Sequence, residues 1–227
     1  MRYYPVFLDI ADKPVVVIGG GNIAHQKMEN LLAAGAKVTV ISPELNEEMA
    51  ALRDDGKYMH LARTYEPGDI EGYELVFVAT DDHDENRRVW KEGRERHIWV
   101  NAVDDIPNCD FIMPGIVRQG ELVIAISTSG TSPAMARKVR EDIQEFLTPE
   151  DAALLDLAAE VRKELRDKGI AVQNCAHCMR NNNDVWNAAL DGDVKRLVKE
   201  GDRVGARARL LNLLLSPSGQ YEGALSS

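Results

Sequence analysis

A chain of 227 residues, 44% hydrophobic and 28% charged, is long enough for one large domain or for a medium domain and a small one. Its formal net charge of -10 argues against a nucleic-acid partner or an anionic membrane surface, both of which attract clustered Lys and Arg, but leaves room for an anionic small molecule met by a local basic patch of the chain. The stretch Met1 to Asp12 lacks the basic-then-apolar order of a signal peptide, no run of about 18 apolar residues is present, and three cysteines are too few for a disulfide framework, so no membrane association and a cytoplasmic location are expected.

The run Val15-Val16-Val17-Ile18 is apolar and β-branched throughout, the pattern of a strand covered on both faces. Three glycines follow, then a helical face of Ala24, Met28, Leu31 and Leu32, with Gly35 placed to end the helix in a left-handed conformation. Val38-Thr39-Val40-Ile41 reads as a second buried strand. Ser42-Pro43-Glu44 then reads as an N-cap, a first-turn proline and an acid at the positive end of the next helix. This is one complete β-α-β unit of roughly thirty residues.

Further strands are expected at Tyr58 to Ala62, Leu75 to Ala79 and Trp99 to Asn101, with a charged helix from Asp84 to Arg96. The alternation predicts an α/β fold, a Rossmann-like doubly wound parallel sheet. After Asp104 the rhythm changes. Phe111-Ile112-Met113 and Glu121 to Ser127 read as added strands around a Gln119-Gly120 turn, and Ser132-Pro133 opens a helix reaching about Leu147. From Pro149 only helical patterns follow, at Asp151 to Lys168, Asp184 to Leu190, and Asp193 to Leu215 with breaks. A domain boundary is expected near residues 147–150, and the tail Ser216 to Ser227 is small and polar.

Gly19-Gly20-Gly21-Asn22-Ile23-Ala24 fits the dinucleotide fingerprint G-x-G-x-x-A between a strand and a helix. Gly19 would make the tight turn, Gly21 would let the backbone approach a pyrophosphate, and Ala24 would let helix meet strand closely. Free N–H groups at the helix start would receive the phosphate charge. The acid that usually grips the ribose at the end of the second strand is missing near Ser42; the first acid is Glu44, which suits ribose binding and helix-dipole complementarity equally. No Arg or Lys lies between Ser42 and Met49 to hold a 2′-phosphate, which favours NAD over NADP.

In an open parallel sheet, ligands bind beyond the carboxyl ends of the strands. Thr80, after the fourth strand, is either a hydroxyl donor to the cofactor or a turn residue; Asp81 and Asp82 suit a helix cap. Asp104 follows the fifth strand and reads either as an exposed loop acid or as a base, ionised at neutral pH with an ordinary pKa near 4. The segment from Ser127 to Pro133 joins a strand to a helix with hydroxyls and a glycine, and Arg137, Lys138 and Arg140 follow. It reads as a carboxylate or phosphate site, with Ser129, Thr131, Ser132 and Arg137 as candidates, or as an N-cap with a solvated basic face.

Taken together, VVVIGGGNIAHQKMENLLAAGAKVTVISPEL, VFVATDD and NAVDD…CDFIMPGIVRQGELVIAISTSGTSPAMARKVRE resemble the precorrin-2 dehydrogenase/sirohydrochlorin ferrochelatase family, the modules found in siroheme synthase and its stand-alone relatives. The likeness runs from about Tyr4 to Phe146, and Asn183-Asp184-Val185-Trp186 resembles the family's C-terminal part more loosely. The resemblance implies oxidation of precorrin-2 to sirohydrochlorin with NAD as hydride acceptor, and in several members insertion of Fe(II) as substrate metal to give siroheme. It also implies a homodimer with the C-terminal parts exchanged or interlocked; the expected division is a Rossmann domain (1–113), a dimerisation and substrate region (114–148) and a small helical domain (149–227). The essential aspartate of the family falls on Asp104, its cofactor contacts on Asn22, Ile23, Pro43 and Glu44, and its serine-rich loop on residues 127–133. Some relatives carry a regulatory phosphorylated serine where this chain has Thr128, so that regulation is not carried over. Dehydrogenation removes a hydride and a proton, and metal insertion strips pyrrole protons, so a single aspartate could serve both steps. The polycarboxylate substrate suits the basic helix start from Ser132 to Arg140.

Cys175 and Cys178 have C-x-x-C spacing, but no second pair completes the roughly four ligands of a zinc site, and no resident metal is expected. His25, His60, His83 and His97 lack ligand-like spacing, and Trp90, Trp99 and Trp186 suit core or interface. Two other functions fit parts of the chain: a non-catalytic NAD-sensing module, which the ATDDHDEN segment would suit, and a chelatase without dehydrogenase activity.

Overall fold

The computed structural model describes residues 3–103, 105–170, 186–187 and 189–215. They divide into two compact units, Met1–Met113 with Ser129–Thr131, and Pro114–Thr128 with Ser132–Ser227.

In the first unit β1 (Pro14–Ile18), β2 (Lys37–Ile41), β3 (Met59–Leu61), β4 (Leu75–Val78) and β5 (Trp99–Ala102) form a parallel sheet in the order β3-β2-β1-β4-β5. The central strand explains the unbroken apolar run. Val15 and Val17 enter one core with Ala24, Met28 and Leu31 of α1 (Asn22–Ala33) and Met49 of α2 (Glu47–Asp54). Val16 and Ile18 enter the opposite core with Val89 of α3 (His83–Arg96). Helices therefore cover both faces, and each β1 side chain from Val15 to Ile18 is at most 1% exposed. Burying four such side chains contributes roughly 1.5–3 kcal/mol each, which makes β1 the hydrophobic axis of the unit. Gly35 follows α1 at φ +77, the left-handed stop that its position calls for.

Two local expectations are corrected. The second helix does not start at Ser42-Pro43-Glu44. Ser42 N–H still pairs with Leu61 C=O at 3.2 Å, and its hydroxyl donates to Glu44 C=O at 2.6 Å rather than accepting from a helical N–H. The cap is Asn46, whose side chain accepts from Met49 N–H at 2.9 Å. Phe111-Ile112-Met113 is not a strand. Phe111 C=O accepts from Asn101 Nδ2 at 2.9 Å, and its ring stands edge-on to Phe77 with centroids 5.4 Å apart, so this stretch anchors to the sheet through side chains.

The second unit opens with the antiparallel hairpin β6 (Gly115–Gln119) and β7 (Leu122–Ile126). Its two-residue turn begins at Gly120, φ +59, a conformation that suits glycine. Ser132 caps α4 (Pro133–Phe146) by accepting from Met135 N–H at 3.2 Å. Among the described residues, α5 (Pro149–Asp167), α6 (Gly192–Lys199) and α7 (Arg203–Leu215) follow. They share a core of Leu157, Val161, Leu165, Val194, Ala206 and Leu210, with Trp186 packed against it. Among the described residues, no helix is long and apolar enough to cross a membrane.

Candidate dinucleotide site

The candidate residues of the first unit gather beyond the carboxyl ends of β1, β2 and β4. Gly19 has φ +121, and a Cβ there would collide with the carbonyl of Ala79, the residue that follows β4. Gly20 faces the β2–α2 loop, where a Cβ would overlap Glu44 C=O and Ser42 Oγ. Gly21 is different: nothing lies within 4 Å of where its Cβ would be. It is the N-cap of α1 and offers no side chain to that helix. The N–H groups of Asn22, Ile23 and Ala24 precede the first intrahelical bond, from His25 N–H to Gly21 C=O at 3.0 Å. The first turn contains no acid. Open space, free donors and the positive end of a helix dipole together form a cradle for a phosphate-bearing ligand.

Around that cradle, Ile23 is 41% exposed despite its apolar side chain, a surface suited to a ring or sugar face. Pro43 and Glu44 are both exposed directly after β2. The Glu44 backbone is held by Ser42, while its carboxylate makes no hydrogen bond or ion pair among the described residues and can face ribose hydroxyls. Thr80, read from sequence as either a cofactor donor or a turn residue, is engaged within the chain. Its hydroxyl donates to Oδ1 of the buried Asn86 at 2.9 Å, so only its lone pairs remain available. Asp82, not Asp81, caps α3: it accepts from the N–H groups of Asp84 and Glu85, which hold its carboxyl below the ordinary range. Burial and the neighbouring Asp82 push the Glu85 carboxyl up.

Asp104 lies outside the described residues. Its neighbours are anchored: Val103 N–H donates to Val78 C=O at 2.9 Å and Asp105 N–H to Ala102 C=O at 3.3 Å. The buried Cys109 thiol lies 2.9 Å from Ala102 C=O, and Asp110 accepts from Val100 N–H at 3.0 Å. Asn101, Cys109 and Asp110 thus pin the chain on both sides of that position; sequence reasoning passed over all three.

The loop after β7 is turned by Ser129 at φ +55 and Gly130 at φ +81, and Thr128 closes it with hydrogen bonds to the backbone of Ser132 at 3.0 and 3.2 Å. Its tip, Ser129–Thr131, groups with the first unit, whereas Ser132 and Arg137 belong to the second. Lys138 pairs with Asp142, and Arg140 with Glu141 and Gln144. Arg137 is exposed and has no carboxylate partner among the described residues. Cys175 and Cys178 fall outside the described residues, and among those described no three His, Cys, Asp or Glu side chains are grouped to hold a metal. Two depressions of about 460 and 610 Å³ lie at the amino ends of the strands, around Glu74 and Trp99 and around Lys37 and Tyr58, at the opposite end of the sheet from the cradle.

Asn46 and His60 were also missed. His60 Nε2 lies 2.9 Å from Ser42 C=O, tying β3 to the end of β2. Asn46 sits before Glu47-Glu48, a cap residue followed by first-turn acids, which is a signal readable from sequence.

The sheet order, the three-glycine turn and the uncapped α1 define a dinucleotide-binding protein of the Rossmann class. Residues 6–115 match a family described as putative NAD(P)-binding, and residues 119–145 match the central segment of sirohaem biosynthesis proteins. "Siroheme synthase 1" of Cronobacter sakazakii is 38% identical over 219 residues, covering 96% of this chain and 45% of that protein. "Siroheme synthase" of Methylobacillus flagellatus is 36% identical over 214 residues, covering 94% and 44%. The chain spans a little under half the length of these curated relatives. A solved structure named "SirC, precorrin-2 dehydrogenase" has the same fold, with a TM-score of 0.67 over 91% of this chain and 100% of that one, at 21% identity. Over this stretch the chain is similar to the siroheme synthases, with a putative NAD(P)-binding match followed by a match to the sirohaem-biosynthesis central segment.

Proposed function

We infer that the protein is an NAD-dependent dehydrogenase of siroheme formation that oxidises precorrin-2 to sirohydrochlorin. The observation that carries this reading is the open cradle at Gly21 with the free N–H groups of Asn22, Ile23 and Ala24, in a chain whose relatives are siroheme synthases. The residues fit the dinucleotide. The α1 N-terminus would take its pyrophosphate and Glu44 its adenosine ribose, and the lack of Lys or Arg between Ser42 and Met49 favours NAD over NADP. When bound, the dinucleotide supplies an acceptor for the hydride that the substrate loses. The accompanying proton needs a base, the role we assign to the Asp104 carboxylate.

Ser129, Thr131, Ser132 and Arg137 are assigned to the substrate carboxylates. The guanidinium of Arg137, exposed and without a carboxylate partner among the described residues, supports this, because bidentate pairing with a carboxylate is its strongest available interaction. The same aspartate would take the pyrrole protons if Fe(II) is inserted as substrate metal.

We also assign residues 114–148 to a homodimer interface. α4 carries Met135, Val139, Ile143 and Phe146 at helical spacing, yet none of its residues is buried, and Phe146 is 78% exposed. In the hairpin only Val117 is buried, and a two-stranded sheet is marginal without further cover. We assign the protein to the cytoplasm, whose reducing conditions suit a chain with only three cysteines, too few for a disulfide framework. Incubation with NAD and precorrin-2, followed by absorbance of the macrocycle and of reduced dinucleotide, tests the activity. Unchanged spectra would refute it.

A further inference from the structure

Asn46 makes three bonds that together determine how a neighbouring side chain faces. Its N–H donates to Gly20 C=O at 2.8 Å, its Oδ1 accepts from Met49 N–H at 2.9 Å, and its Nδ2 donates to Asn22 Oδ1 at 2.8 Å. An asparagine amide has one accepting end and one donating end. Because the α2 cap uses the oxygen of Asn46, its NH2 must be the end that meets Asn22. Asn22 must then offer its own oxygen to Asn46. The NH2 of the exposed Asn22 is left over at the start of α1, with no partner among the described residues.

We propose that Asn46 is a positioning residue of the dinucleotide site: it orients the Asn22 amide so that its NH2 serves as a donor to the anionic part of the ligand, alongside the free N–H groups of α1. The chain of donors runs from the β2–α2 loop, where the ribose would lie, to the glycine turn, where the pyrophosphate would lie. Asn46 registers one against the other. This inference rests on the dinucleotide reading given above.

The variants Asn46→Asp and Asn46→Ser separate this role from helix capping, since Asp and Ser both cap well but neither offers an NH2. With Asp at position 46, Asn22 would turn its NH2 toward the new carboxylate and its oxygen toward the ligand. Binding of NAD is measured by calorimetry and the melting temperature of the unliganded protein in parallel. Melting temperatures are expected to stay at the wild-type value or above it. The NAD Kd is expected to rise about tenfold for Asn46→Ser, the loss of one hydrogen bond to a charged group, and further for Asn46→Asp. In an Asn22→Ala background the Asn46→Ser effect should vanish, because the oriented group is gone. Wild-type affinity in Asn46→Asp, or effects of Asn46→Ser and Asn22→Ala that simply add, would overturn the proposal. Failure of the wild-type chain to bind NAD would instead remove the reading beneath it, and the proposal with it.

Discussion

Replacing Gly21 by alanine isolates the cradle from the fold. Gly21 has φ -90 and ψ -170, extended backbone that alanine adopts without strain, and no protein atom lies within 4 Å of the new methyl group. The structural cost is only the poorer N-cap, about 1 kcal/mol or less. The methyl group would occupy the space through which a pyrophosphate approaches the backbone, so we expect NAD to bind at least about a hundredfold more weakly. The assay is thermal unfolding with and without NAD. At a ligand concentration of 100 times Kd, wild type gains about 2.7 kcal/mol, which for a chain of this size raises the midpoint by about 5–10 °C. In Gly21→Ala the unliganded midpoint should fall by no more than about 4 °C and the NAD-dependent rise should shrink to about 2 °C or less. A variant that keeps the full rise would show that the ligand does not approach this backbone.

Other expectations concern different parts of the chain. Gly19→Ala places a side chain at φ +121 against the Ala79 carbonyl, and a loss of about 3 kcal/mol or more in urea unfolding is expected; a loss under 1 kcal/mol would contradict the close approach. Asp104→Asn should retain NAD affinity and lose most turnover, and normal turnover would remove that residue from the chemistry. Arg137→Ala should raise KM for the polycarboxylate substrate about tenfold while leaving the NAD Kd unchanged; an unchanged KM would dismiss it as a substrate contact. Asp151, hydrogen-bonded by Lys195, and Asp191, hydrogen-bonded by Arg209, are both held below the ordinary carboxylate range. Their folded pKa values are depressed, so the stability they contribute is complete above the unfolded value near 4 and is lost as pH falls through the folded values. Urea midpoints of the second unit should drop on acidification below about pH 4, and Asp191→Asn should flatten that dependence. Identical acid profiles for variant and wild type would refute the assignment.

The strands were legible because a parallel sheet buried on both faces writes itself as β-branched runs, and Val15 to Ile18 and Val38 to Ile41 are such runs. The start of α2 was misread because Ser42 and Pro43 are good helix-opening residues by type. What decides the matter is where the Ser42 hydroxyl points, and that depends on a contact with Glu44 C=O that no local pattern encodes. Phe111 to Met113 looked like a strand because apolar runs do not distinguish ladder pairing from anchoring by a ring and an amide. The fingerprint identified Gly19 and Gly21 but treated Gly20 as free to vary. Its need for glycine arises from the approach of a loop more than twenty positions away. The sequence left Thr80 between ligand donor and turn residue because its partner, Asn86, lies on the following helix and is buried.

The way the β2–α2 loop is held has an evolutionary side. Its main chain at residue 44 is fixed from two directions, by the Ser42 hydroxyl and by the glycine turn pressed against its carbonyl, while the side chain at that residue stands in solvent. Under the ribose role proposed for Glu44, coenzyme preference can drift by exchange of one outward-facing group, with little penalty to folding, and descendants of this chain could trade one nicotinamide coenzyme for another without rebuilding the loop.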